Sequence, residues 1–295
     1  MYKFVLRGSS AVVNFPEGQT SQTIAIVVGQ PIKHSLSPLI HNTAFTIANL
    51  KWDYHAVEVP KEKAQECIEA IRNNNIRGVS VTMPLKEAVI PFLDELSETA
   101  RELKAVNCIS WDEEKLVGHN TDGEGFVNSL VAETGERIAG SSFAIVGAGG
   151  AARAVIRSLR EASVAKITVI NRNQEKAIFA AELGGVNARV GTAEHIPECD
   201  YVVNATSIGM AGTENEGKMS IPEKYLKDSH TVVDLVYNPI ETPLLSAARK
   251  VGATGITGVG MLVHQAALQY QHWTGLGAPI QEIERKVINE ITQIT

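Results

Sequence analysis

Two groups of residues in this sequence have the types and spacing to do chemistry. The first is Gly147-Ala148-Gly149-Gly150-Ala151-Ala152, which follows a β-branched run and opens a helical pattern. That is the G-x-G-x-x-G/A arrangement in the context that gives it meaning. Backbone N–H groups and the positive end of a helix dipole then face the phosphates of a dinucleotide. Gly147 permits the tight turn, Gly149 lets the backbone approach a pyrophosphate, and Ala152 keeps the helix close to the sheet. An NAD site usually carries Asp or Glu about 20 residues further on, for the ribose 2′-OH. Here the next strand runs into Asn171-Arg172-Asn173-Gln174-Glu175-Lys176. Arg172 stands where the acid would be, Lys176 follows one turn later, and a guanidinium at that point pairs with a 2′-phosphate. This favours NADP, while Glu175 leaves room for NAD.

The second group is polar and lies in the first half of the chain. Ser35 and Ser37 bracket a leucine before Pro38, between a strand pattern and a helical one. Ser37 alone would suit a helix N-cap. Two hydroxyls at i and i+2 beside a helix start would also hold a carboxylate. Lys86 follows Pro84 in what reads as a first helical turn, where the dipole disfavours an ammonium. That suits a group which must give and take a proton, although an exposed helix lysine is an equally good account. Asn107 and Asp122 end strand patterns. Asp122 is also a natural N-cap for the helix that follows, and Thr82 and Asn107 would serve as ordinary strand-end residues.

The elements that must position these groups alternate. Strand patterns fall at 24–28, 54–59, 78–82, 106–111 and 115–119, with helical stretches at 38–49, 61–73 and from 84 towards 94, the last divided by Pro91. A second series begins at 142–146 and continues at 166–170, 188–190, 201–204 and 231–235. Helical runs at 262–274 and 280–294 close the chain. Alternation of this kind predicts an α/β protein. The expected organisation is an extension over 1–23, irregular through residue 22. An α/β substrate-binding domain with a mostly parallel sheet follows over 24–124, and a Rossmann-like dinucleotide-binding domain over 125–257. Helices at 258–295 are expected to return to the first domain. The joint near Gly123–Gly125 is expected to let the two domains close on a cleft.

Composition narrows the function classes. In 295 residues there are 27 basic and 33 acidic side chains, a net charge of −6, which weakens the case for a nucleic-acid binder. No apolar run reaches about 18 residues, so no spanning helix is expected. The N-terminus lacks the continuous apolar segment of a signal peptide. Cys67, Cys108 and Cys199 form no CxxC and read as reduced thiols of a cytoplasmic protein. No HExxH or zinc-type spacing is present, so no metal is expected. The expected partners are small molecules, not nucleic acid or membrane. A homodimer is the one assembly kept open.

Taken in order, the blocks 29–42, 81–86, 118–122, 147–153, 204–210, 234–239 and 258–265 resemble those of the shikimate dehydrogenases, over residue 24 to the C-terminus. The resemblance implies reversible reduction of 3-dehydroshikimate to shikimate with NADPH. It implies Lys86 and Asp122 as the catalytic pair, and Ser35 and Ser37 as carboxylate-binding hydroxyls. Thr82, Asn107, Lys86 and Asp122 would hold the ring hydroxyls, with Tyr237 and Gln265 as further substrate contacts. Gly147, Ala148, Gly149, Gly150 and Ala151, with Asn171, Arg172, Asn173 and Lys176, match the cofactor loops. Leu235, Gly258 and Met261 would lie near the nicotinamide, Leu235 replacing a methionine of some relatives. Glu98 matches an occasional cofactor-side position. Readings left open are a quinate/shikimate dehydrogenase using NAD or NADP, a non-catalytic metabolite-binding regulator, and a thioester reductase, which would need a nucleophilic cysteine.

Overall fold

The computed structural model describes residues 3–5, 12–14, 22–74 and 76–294. The expectation of an irregular segment through residue 22 falls mostly outside these. In its described part, β1 (Lys3–Val5) pairs antiparallel with β2 (Val12–Asn14), Lys3 opposite Asn14. Each contains two residues that favour strands, Phe4 and Val5 in one and Val12 and Val13 in the other.

The chain divides into two compact units. One comprises residues 1–121 with 266–283, the other 122–265 with 284–295. The division thus falls at 121/122 rather than at 124/125. The segment that joins the first unit is 266–283 rather than the whole of 258–295.

The first unit is built on β3 (Thr23–Gly29), α1 (Ser37–Ile47), β4 (Trp52–Glu58), α2 (Ala64–Asn73) and β5 (Gly78–Val81). It continues with α3 (Leu85–Ala88), β6 (Glu95–Leu96), α4 (Glu98–Leu103), β7 (Cys108–Asp112) and β8 (Lys115–His119). Its six strands are ordered β4-β3-β5-β7-β8-β6. β3 is parallel to both β4 and β5, and β6 to β8. β5/β7 and β7/β8 are antiparallel, so the sheet is mixed with parallel pairings in the majority. β3 is a continuous apolar run with Ala25, Ile26, Val27 and Val28 all buried, as a central parallel strand should be. The helical pattern after Pro84 yields only the single turn α3, followed by a 3-10 turn over Ile90–Phe92 that contains Pro91. Proline lacks the N–H that would extend the helix. All three tryptophans, Trp52, Trp111 and Trp273, belong to this unit.

The second unit contains α5 (Asp122–Thr134), β9 (Ser142–Val146), α6 (Gly150–Glu161), β10 (Lys166–Ile170), α7 (Gln174–Leu183) and β11 (Ala188–Val190). After these come β12 (Tyr201–Asn204), β13 (Thr231–Asp234), α8 (Pro243–Lys250) and β14 (Thr254–Ile256). All its pairings are parallel, in the order β11-β10-β9-β12-β13-β14. This is the doubly wound 3-2-1-4-5-6 order of dinucleotide-binding domains. β6 and β14 have no counterpart among the expected strands.

Two helices end the chain, α9 (Val259–Thr274) and α10 (Ile280–Ile294), and residues of each fall in both units. The later part of α9 supplies Trp273, packed over Gly78, and Tyr270, 5.6 Å from the Phe45 ring. α10 buries Ile283, Val287 and Ile291 at helical spacing.

Gly123 and Gly125 both lie inside α5 and are buried. A Cβ on Gly123 would collide with the Ala154 carbonyl of α6, and one on Gly125 would come within 2.6–2.7 Å of the Gln265 backbone of α9. They are glycines because helices pack closely there.

Candidate active site

In open α/β sheets, ligands bind beyond the carboxyl ends of the strands where the strand order reverses. Each unit has such a point. In the first, it lies between β3 and β5. Gln30 N donates to Met83 O at 2.9 Å and Thr82 N to Val28 O at 2.9 Å, so the two outgoing loops run side by side. Gly29 has no room for a side chain, since a Cβ would meet the Thr82 methyl and lie 2.7 Å from Met83 O.

The loop after β3 carries the serines. Ser35 Oγ accepts from Ser37 N at 3.3 Å, a hydroxyl turn that sets the first residue of α1. Ser37 is therefore the first helical residue rather than the N-cap, which is Leu36 without a side-chain bond. Both serines are half-buried. The loop after β5 carries Thr82 and Lys86. Leu85 N donates to Thr82 O at 2.9 Å and the Leu85 side chain is fully buried, which anchors α3 and leaves Lys86 half-buried beside it. A one-turn helix aligns few peptide dipoles, so the dipole argument for Lys86 loses its force. Its place in the helical turn that follows β5 remains.

Asn107 ties these loops to the end of the unit. Its main-chain O accepts from Val81 N at 2.8 Å, its N donates to His119 O at 2.9 Å, and the neighbouring Val106 N donates to Lys86 O at 2.8 Å. The buried Asn107 side chain accepts from Thr121 N at 2.8 Å and donates to Thr121 Oγ1 at 3.0 Å. Asn120 Nδ2 donates to Ala105 O at 3.0 Å. The chain is thereby fixed up to the residue before Asp122. Asp122 itself opens α5 and is buried, at a helix end where a carboxylate is favoured. Ser35, Ser37, Thr82, Lys86 and Asn107 thus gather at one end of the first sheet. Asp122, Tyr237 and Gln265 belong to the second unit. Glu98 is exposed in the first turn of α4, after the N-cap Ser97 whose Oγ accepts from Ala100 N. Helix capping accounts for an acid there.

In the second unit the strand order reverses between β9 and β12. Gly147 follows β9 with φ +122°, and a Cβ on it would lie 2.7 Å from Ala205 O, beyond β12. Only glycine combines that backbone with that approach. Gly149 is the extended N-cap of α6, and a Cβ there would meet nothing within 4 Å. Open space at a helix N-terminus, with no acid in the first turn, fits a pyrophosphate. Ala148 and Ala152 are buried beneath, while Gly150 and Ala151 begin the helix. Beyond β10, Arg172 and Lys176 are exposed and make no salt bridge among the described residues. Asn171 Nδ2 donates to Asn173 O at 2.9 Å, and Asn173 caps α7 by accepting from Lys176 N at 2.9 Å. The donor set suits a 2′-phosphate.

A buried network that the sequence reading did not identify lies at the ends of β12 and β13. Asp234 accepts from Asn204 Nδ2 at 2.8 Å, Val236 N at 3.0 Å and Thr242 Oγ1 at 2.7 Å. Burial pushes its carboxyl up, and these three donors act against that. Asn204 also accepts from Thr206 N at 3.1 Å, and Thr242 caps α8. The network fixes the loops carrying Leu235 and Tyr237. Burial raises the Tyr237 phenol. Gly258 abuts the Leu235 carbonyl, where a Cβ would collide, and this places Met261 in the first turn of α9. Gln265 Nε2 donates to Leu262 O at 2.8 Å. Blocks 204–210 and 234–239 contain its members apart from Thr242, and Thr242-Pro243 reads locally as a cap followed by a first-turn proline.

The three cysteines are buried free thiols. Burial pushes Cys67 up to about 12 and raises Cys108 and Cys199. Such thiols are poor nucleophiles, which removes the support for a thioester reductase. Among the described residues no His/Cys/Asp/Glu group could hold a metal ion, and no helix is long and apolar enough to cross a membrane.

Three family models match the chain. The shikimate dehydrogenase substrate binding domain covers residues 27–109, shikimate/quinate 5-dehydrogenase covers 129–242, and the shikimate 5'-dehydrogenase C-terminal domain covers 258–288. The shikimate dehydrogenase (NADP+) of Alkaliphilus oremlandii is 41% identical over 270 residues, spanning 88% of this chain and 94% of the relative. The chain belongs to the shikimate dehydrogenase family. A shikimate dehydrogenase solved in complex with NADP+ superposes with TM-score 0.87 at 34% identity, covering 92% of this chain and 96% of that one. The shikimate 5-dehydrogenase of Thermus thermophilus, in complex with NADP(H) and shikimate, gives TM-score 0.84 at 35% identity over 91% and 99% of the two chains. Within the shikimate dehydrogenase models, the first spans the loops of Ser35, Ser37, Thr82, Lys86 and Asn107, and the second the glycine turn and Arg172. Asp122 falls between the two.

Proposed function

We propose that this chain catalyses the reversible NADP-dependent reduction of 3-dehydroshikimate to shikimate, on the route to aromatic amino acids, in the cytoplasm. Family membership supports the reaction class. The observation that carries it to particular residues is the gathering of two hydroxyls, an amine and an amide-held turn at the reversal point of the first sheet. That donor set matches a small carboxylic acid bearing several hydroxyls. The free, buried thiols agree with a reducing compartment.

A bound nicotinamide cofactor would supply hydride chemistry at the carbon that bears the reacting oxygen. Lys86 delivers a proton to that oxygen in the reduction and takes it back in the oxidation. Asp122 orients the lysine and the hydroxyl by hydrogen bonds. Its own place is set by the Asn107–Thr121 clamp just before it. Ser35 and Ser37 take the substrate carboxylate, and Thr82 and Asn107 the ring hydroxyls, with Tyr237 and Gln265 as further contacts. The N–H groups of 147–151 would hold the pyrophosphate, and Arg172 with Lys176, on the turn shaped by Asn171 and Asn173, would take the 2′-phosphate. Leu235, Gly258 and Met261 would lie near the nicotinamide. Proton transfer of this kind contributes roughly 10²–10⁴ in rate. Alignment of two bound molecules supplies much of the rest.

Initial rates with shikimate and quinate, each with NADP and NAD, test the proposal. Shikimate with NADP should give the highest kcat/KM. A higher value for quinate with NAD would make the chain a quinate dehydrogenase. Binding of shikimate without turnover in any combination would make it a regulator, and neither binding nor turnover would discard the reading.

A further inference from the structure

Beneath the proposed substrate residues, the first unit holds a run of buried hydrogen bonds that the proposed reaction does not use. The Tyr54 hydroxyl donates to Ser80 Oγ at 2.5 Å, Ser80 donates to Gln269 Oε1, and Gln269 Nε2 donates to the main-chain O of Asn107 at 3.3 Å. The run crosses β4, β5, α9 and the residue before β7, and its members are all buried. The Ser37 hydroxyl is a further polar neighbour of the Tyr54 phenol. His41, from α1, stacks on Tyr54 with ring centroids 4.4 Å apart and lies 4.8 Å from the Trp273 ring.

A glutamine that is 2% exposed is a costly way to fill space, because a buried amide must find partners for its carbonyl and its N–H groups. Here the directions are fixed. A carbonyl only accepts, so Ser80 must donate to Gln269, and the Tyr54 hydroxyl must donate to Ser80. A run with one allowed sense of donation holds its two ends in one geometry. One end is the Asn107 main chain and the other faces Ser37.

We propose that Gln269 is a positioning residue for substrate binding. It fixes the spacing between the hydroxyl that takes the substrate carboxylate, at Ser37, and the segment that takes a ring hydroxyl, at Asn107. Binding groups hold such spacing only when a supporting layer of bonds locks them. The inference rests on the proposed function.

The test compares the wild-type protein with Gln269→Met, which keeps side-chain length and removes the hydrogen bonds to Ser80 and Asn107 along with the contact to His41, with Ser80→Ala, and with the double variant. Gln269→Met should raise KM for shikimate about tenfold while KM for NADP stays within about twofold. Ser80→Ala should act in the same sense, and the double variant should be no worse than the worse single one, because each breaks the same run. An unchanged shikimate KM in folded Gln269→Met, or equal rises in both KM values, overturns the positioning role. If Gln269→Met does not fold, Ser80→Ala and Tyr54→Phe, each losing one hydroxyl, carry the same comparison with the same outcomes. A wild-type protein that neither binds nor oxidises shikimate would instead defeat the proposed function.

Discussion

Asn107 grips Thr121 from both sides, accepting from its main-chain N at 2.8 Å and donating to its hydroxyl at 3.0 Å. The two residues belong to different strand ends, and Thr121 directly precedes Asp122. Asn107→Ala would leave the buried Thr121 N–H and hydroxyl without this partner, at a cost of about 1–3 kcal/mol. Shikimate KM should rise and thermal stability should fall, with NADP binding nearly unchanged. Calorimetric titration of each ligand checks this, and a variant that weakens both ligands equally would contradict it.

Lys86→Ala should lower kcat by about 10²–10⁴ and leave NADP affinity within about threefold. Steady-state kinetics alongside cofactor titration separate the two effects. Turnover within about threefold of wild type, less than one tenfold step of 1.36 kcal/mol, would remove the proton-transfer role.

Arg172→Asp should weaken NADP far more than NAD, because the exposed guanidinium has a 2′-phosphate to meet in only one of them. The measurement is the ratio of kcat/KM for the two cofactors. An equal loss with both would end the assignment.

Thr242→Val removes a hydroxyl that donates to buried Asp234 and also accepts from Leu245 N at the start of α8. The combined loss should be about 2–3 kcal/mol. Urea unfolding followed by circular dichroism reads it. A loss below about 0.5 kcal/mol, the range of ordinary surface changes, would mean that the network adds little.

Acid should destabilise the first unit through His41. Burial lowers its imidazole from 6.5 to about 3, Gln269 acting against the shift, so the folded state favours the neutral ring. Its contribution is complete above pH 6.5 and is lost as pH falls towards about 3, at no more than about 1.4 kcal/mol per pH unit. His119, lowered to about 4 by burial and then by His272, loses its share in the same direction. His41→Phe keeps a stacking ring and cannot titrate. Between pH 7 and pH 5 it should lose up to about 2 kcal/mol less than wild type in urea unfolding. Equal losses would rule His41 out as the sensor.

The glycine turn was legible in the sequence because its constraints are local. Gly147 needs a positive φ, and the strand before it and the helix after it are adjacent in the chain. Strands 142–146, 166–170 and 188–190 have the same bounds in the structure for the same reason. Partnerships across distance were not legible. Asp234 meets Asn204 and Thr242, and Gln269 meets Ser80, across 30, 8 and 189 positions, and no periodicity points from one to another. Gly123 and Gly125 serve close helix packing against Ala154 and Gln265, partners that their own stretch of sequence does not name. Lys86 misled in its detail because the pattern after Pro84 did not reveal that the helix ends after one turn.

The placement of Trp52, Trp111 and Trp273 in a single unit has an optical consequence. Emission excited at the red edge of the indole band comes from the serine-and-lysine half of the molecule alone, while the nucleotide half contributes only tyrosine and phenylalanine. Indole emission and far-ultraviolet ellipticity, recorded on one sample during a melt, therefore give two clocks rather than one. Their lag measures how independently the halves come apart.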